Sequence, residues 1–123
     1  MMERIEEFSR DGKNIVYIDF SGFSVINEFR QLIKQVEPII SKYPEKSVYT
    51  ITNIENMRFD SSIRNTVVEY MQFNKPYVKC AAIVGIDGIK KIMAKTAIKL
   101  SNRTNFNFFF LKEEAIAWIL QQE

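Results

Sequence analysis

Ser47-Val48-Tyr49-Thr50-Ile51-Thr52-Asn53-Ile54-Glu55-Asn56-Met57-Arg58-Phe59-Asp60-Ser61-Ser62 is the stretch from which the fold can be read. Apart from Ser47 and Asn53, its first eight residues are β-branched or aromatic, which predicts a strand from Ser47 to Ile54. Glu55 to Arg58 break that pattern. Phe59-Asp60-Ser61-Ser62 then opens a helix from Ser61 to Phe73, with Asp60 placed to accept from the free N–H groups of the first turn. Ile63, Val67, Tyr70 and Met71 give that helix an apolar face. Polar residues at a strand's carboxyl end, beside a helix N-terminus, sit where open α/β sheets bind ligands.

Working outward, Ile5 to Phe8 and Asn14 to Phe20 read as strands joined by Arg10-Asp11-Gly12-Lys13, a tight-turn sequence that predicts a β-hairpin. From Ile26 to Tyr43, Phe29, Leu32, Ile33, Val36, Ile40 and Tyr43 recur at helical spacing; Pro38 predicts a bend between Lys34 and Pro38, and Pro44 closes the helix. Beyond Asn74-Lys75-Pro76, Tyr77 to Gly85 is a strand with a small apolar centre, Cys80 lying in it as an inert core residue. Asp87 is expected to cap a helix from Gly88 to about Asn102, with Ile89, Ile92, Met93, Thr96, Ala97 and Leu100 inward. Phe106 to Phe110 is a short strand, and Lys112 to Gln121 a closing helix burying Ala115, Ile116, Trp118 and Ile119. The predicted fold is α/β: an N-terminal hairpin, then four β-α units around a mostly parallel sheet of about five strands, with residues 1–123 as one domain.

Composition narrows the chemistry. The 123 residues, 46% hydrophobic with ten Phe, five Tyr and one Trp, can fill a core without a metal or disulfide staple. Cys80 is the only cysteine, the N-terminus lacks an apolar h-region and no apolar run reaches bilayer length, so a soluble, cytoplasmic protein is expected. A net charge of +2 gives no sign of a nucleic-acid partner. With no histidine, Ser-His-Asp and Cys-His relays and His-ligated zinc are excluded. Chemistry is left to carboxylates, Lys, Tyr or a borrowed cofactor; no catalytic set, metal or cofactor is assigned.

Several stretches together resemble a known family. Phe59-Asp60-Ser61-Ser62 after a strand looks like the corresponding element of STAS domains in anti-sigma factor antagonists. Tyr17-Ile18-Asp19-Phe20-Ser21-Gly22, Asn74-Lys75-Pro76-Tyr77-Val78-Lys79, the run from Val84 to Ile92, and Glu113-Glu114-Ala115-Ile116-Ala117-Trp118 are similar to the bacterial SpoIIAA-like (STAS/SEC14-like) family. The resemblance implies that fold, and a non-enzymatic regulatory or protein-interaction module. It also implies that Ser61, by position, would be the phosphoacceptor that switches partner binding. In the antagonists a glycine follows the serines closely; here Ile63-Arg64-Asn65 follows, and no glycine occurs between Gly22 and Gly85. The SEC14-like side implies an alternative, a carrier of lipid or a small apolar ligand held between the Pro38 helix, the Phe20-to-Phe23 loop and the Lys91–Arg103 helix.

Two site sets follow. The first is the elbow: Arg58, Asp60, Ser61 and Ser62, where capping alone accounts for the residue types but a phosphate would meet the helix dipole and Arg58 or Arg64. Asp19 and Asp60, both at strand carboxyl ends, invite comparison with a Mg²⁺-binding pair, but lack the adjacent acidic residue of receiver domains. Gly85-Ile86-Asp87-Gly88 lacks the features of a phosphate-cradling loop, and turn geometry explains its glycines. The second set is cationic: Lys91, Lys95, Lys99 and Arg103 repeat every four residues on one helix. Val78 to Asn105 carries six cations against Asp87, a balance of +5, whereas the rest of the chain carries 11 cations against 14 anions, a balance of −3. Like charges so spaced slightly destabilise a helix, which favours an anionic partner, lipid headgroup or acidic protein. The expected partners are thus a protein or a lipid-like ligand, with homodimerisation open.

Overall fold

The computed structural model describes residues 4–122, apart from 59, 87–91, 93–94, 97–98 and 101–104. Strands β1 (Ile5–Arg10) and β2 (Lys13–Asp19) form the expected antiparallel hairpin, pairing Arg10 with Lys13 and Ile5 with Ile18. Its turn residues Asp11 and Gly12 both have positive φ, 53° and 78°, the backbone that matches strand twist in a two-residue hairpin. Helix α1 (Ile26–Ser41) leads to β3 (Val48–Asn53), α2 (Ser61–Asn74) to β4 (Val78–Val84), and β5 (Phe106–Phe109) to α3 (Lys112–Leu120).

The sheet order is β1-β2-β3-β4-β5, with β2 to β5 parallel. Strands are added in one direction only, so right-handed crossovers carry α1 and α2 to the same face. There Phe29, Leu32, Ile33, Val36 and Ile40 of α1 and Ile63 and Tyr70 of α2 meet Val16, Ile18, Val48, Ala81 and Ile83. Helix α3 follows the last strand and takes the opposite face, packing Ala115, Ile116 and Ile119 on Ile15, Tyr49, Ile51, Ala82 and Val84. Alternate residues of each central strand therefore serve two cores, which is why these strands read as nearly continuous apolar runs.

α1 runs through Pro38 to Ser41. Val67, Cys80 and Trp118, expected inside, are half-buried; burial raises the Cys80 thiol above its ordinary value. α2 instead buries Thr66 and Asn74 beside its apolar residues. The larger correction concerns the stretch after β4. Ile92, Thr96 and Leu100 are helical, but they face water, Ile92 being 70% and Leu100 55% exposed. These positions share an arc with Lys95 and Lys99, and burying two ammonium groups costs more than exposing two aliphatic side chains. The expectations for Asp87, Gly88, Ile89, Met93 and Ala97 lie outside the described residues. Among the described residues, no helix is long and apolar enough to cross a membrane.

Candidate functional site

Because the strand order never reverses, the crevice that a doubly wound sheet opens at its reversal point does not form among the described strands. At the carboxyl ends of β2 and β3 the loops are instead fastened to one another. Phe20 N donates to Asn53 O at 2.8 Å, Gly22 N to Glu55 O at 2.9 Å, and Arg58 N to Phe23 O at 2.8 Å. These three bonds fasten the β2–α1 loop to the β3–α2 elbow. Arg4 secures the outer loop: its Nη1 donates to Asp19 O at 3.1 Å and Ser21 O at 2.9 Å, and its guanidinium lies 4.1 Å from the Phe23 ring centroid.

The elbow has an apolar root and a polar crest. Ile54 and Met57 are buried with Phe20, Phe23 and Phe29, while Glu55, Asn56 and Arg58 are exposed. Met57, 1% exposed, is the anchor that a reading of the elbow as uniformly polar misses. A single apolar residue within a polar run was its only signal in the sequence. Asn53 Oδ1 accepts from Glu55 N at 2.9 Å, an Asx turn that starts the elbow. Asn53 Nδ2 donates to Tyr17 Oη at 3.1 Å, and Lys112 Nζ lies 4.1 Å from the Tyr17 ring centroid. Burial, helped by the nearby carboxylates of Asp19, Glu6 and Glu55 and opposed by the Asn53 bond, raises the Tyr17 phenol above its ordinary value.

Asp60 is the N-cap of α2. Its Oδ1 accepts from Ile63 N at 3.0 Å, and its backbone carbonyl accepts from Arg64 N at 2.9 Å. Its other oxygen, Oδ2, stands 3.5 Å from Arg58 Nε in an ion pair that is open to water and so contributes little stability. Ser61 and Ser62 follow directly, both exposed. Arg64, one turn on and half-buried, holds its Nε buried without a hydrogen-bond partner. Arg58, Asp60, Ser61 and Ser62 thus form one contiguous surface at the head of α2. Asp19 is occupied locally, its Oδ1 accepting from Ser21 N at 2.8 Å. Among the described residues, no group of three or more acidic or thiol side chains is arranged to hold a metal ion.

Of the cationic set, Lys95 and Lys99 are helical and exposed, and Lys91 and Arg103 lie outside the described residues. Of the helix expected to wall a ligand space with α1 and the Phe20-to-Phe23 loop, only residues 92, 95, 96, 99 and 100 are among the described residues, and all five are exposed. Comparison with known proteins finds no matching family model, no matching curated protein and no matching solved structure. What the site can do is thus read from its own residues.

Proposed function

We propose that this protein is a non-enzymatic regulatory or protein-interaction module of the SpoIIAA-like (STAS) kind, docking a protein partner through the elbow from Arg58 to Ser62. Ser61 is the hydroxyl through which docking is switched. One observation carries the reading: Asp60 performs the capping, accepting from Ile63 N, and Ser61 stays exposed in the first turn. A serine needed as a cap would have its oxygen committed to the backbone; this one has an acidic neighbour doing that work. Phosphate on Ser61 would sit at the positive end of the α2 dipole, with Arg58 beside the cap and Arg64 three residues on, on the same helix face. The hairpin and the run of parallel strands also support the family reading.

The test is phosphopeptide mapping of protein isolated from its own cells under growth and stress. Phosphate on Ser61 and not on Ser62 is the expected result. Finding neither serine modified under any condition would remove the switch from the reading.

A further inference from the structure

Ile92, Lys95, Thr96, Lys99 and Leu100 are spaced by three, four, seven and eight residues from Ile92, so they share about 140° of one helix surface. All five are exposed, Ile92 at 70% and Leu100 at 55%. Thr96 Oγ1 donates to Ile92 O at 3.1 Å, committing the hydroxyl hydrogen to the helix's own backbone. The centre of the face is thereby less polar than its composition suggests. Two aliphatic side chains two turns apart, with two ammonium groups between them, differ from an ordinary solvated face, where lysines alternate with acidic or small polar residues. Gly88 to Asn105 contains no acidic residue at all.

We infer that this face lies on an anionic lipid bilayer. Ile92 and Leu100 enter the headgroup boundary, while Lys95 and Lys99 extend along it to lipid phosphates and carboxylates. Charge selects the occupant: Lys95 and Lys99 stand exposed on this face, and the sequence from Gly88 to Asn105 offers no carboxylate to neutralise them, which suits a negative plane. The apolar pair adds a hold on the acyl boundary that the two ammonium groups alone would not give. This surface shares no residue with the elbow at the head of α2.

The experiment sediments the full chain with vesicles of phosphatidylcholine mixed with phosphatidylserine, and with phosphatidylcholine alone. The natural protein should bind the acidic vesicles at low salt, and bind less as salt shortens the screening length below ~10 Å. Lys95→Glu with Lys99→Glu should weaken binding about tenfold or more. Ile92→Ser with Leu100→Ser should weaken it about as much with the charge untouched. The two pairs are independent, so either alone decides, and all four side chains are exposed, so the fold is expected to persist. No sedimentation of the natural protein with acidic vesicles at low salt would overturn the proposal. So would undiminished binding by the Ser pair, which would mark simple counterion attraction, or by the Glu pair. Binding to poly-glutamate but not to vesicles would overturn it too, in favour of an acidic protein.

Discussion

Gly85 and Asn53 approach more closely than two side chains can. A Cβ placed on Gly85 would lie 2.7 Å from Asn53 Oδ1 and 2.9 Å from Glu55 N. That Oδ1 already accepts from Glu55 N at 2.9 Å, so it cannot swing away without undoing the turn that begins the elbow. Gly85 also has φ of +75°, a region open to glycine at little cost. The residue following β4 therefore decides how closely the elbow after β3 can settle on the sheet edge.

Gly85→Ala should consequently destabilise the protein by about 2–4 kcal/mol, combining the left-handed backbone with a backbone contact that must open. Thermal unfolding should show a fall in Tm of roughly 8–16 °C. A change within experimental error would mean that the contact relaxes freely.

Asp60 and Ser61 are expected to separate in stability measurements. Asp60→Ala removes the acceptor for Ile63 N and should cost about 1 kcal/mol, within the usual range for a lost cap. Ser61→Ala should cost clearly less. Equal losses in urea titrations would show the two residues sharing the cap, and would weaken the assignment of Ser61 to switching.

Tyr43 and Glu7 give the hairpin's contact with the end of α1 a defined pH dependence. Tyr43 Oη donates to Glu7 Oε1 at 2.8 Å, and Lys42 Nζ stands 2.7 Å from the same oxygen. The Lys42 and Tyr43 contacts hold the Glu7 carboxyl below its ordinary value of 4.5. Burial, then the Glu7 carboxylate, pushes Tyr43 from an ordinary 10.0 up to about 12. Glu7 is stabilising when ionised, so its contribution is present above pH 4.5 and lost as pH falls through its lowered folded value. Tyr43 is stabilising when neutral, so its contribution is present below pH 10.0 and lost as pH rises through about 12. Tyr43→Phe should flatten the alkaline limb of a stability–pH curve, and Glu7→Gln should flatten both limbs. An unchanged alkaline limb in Tyr43→Phe would show that another group sets it.

Pro38→Ala restores a backbone donor inside α1 between the buried Val36 and Ile40. The gain of a helix hydrogen bond, reduced by the greater freedom of the unfolded chain, should stabilise by about 1–2 kcal/mol. A rise in Tm is the expected readout. A fall would mean that the core against α1 depends on the backbone shape that proline imposes.

Much of this architecture was present in the one-dimensional pattern. Asp11-Gly12 specified the hairpin turn, the apolar spacing from Phe29 to Ile40 specified the buried side of α1, and Asp60 specified where α2 begins. These depend on interactions a few residues long, which a sequence carries directly. The packing of the loops after β2, β3 and β4 on one another at Gly22, Glu55, Arg58 and Gly85 does not. The bonds from Gly22 to Glu55 and from Arg58 to Phe23, the burial of Met57, and the demand for glycine at position 85 all join segments distant in the chain. They exist only once parallel strands set those loops side by side. The helical face at Ile92, Lys95, Thr96, Lys99 and Leu100 shows the same division. Periodicity identified a helix bearing both apolar and cationic residues, but two overlapping arcs competed for the core. Only tertiary packing, weighing two exposed aliphatic side chains against two buried ammonium groups, chose the side that faces water.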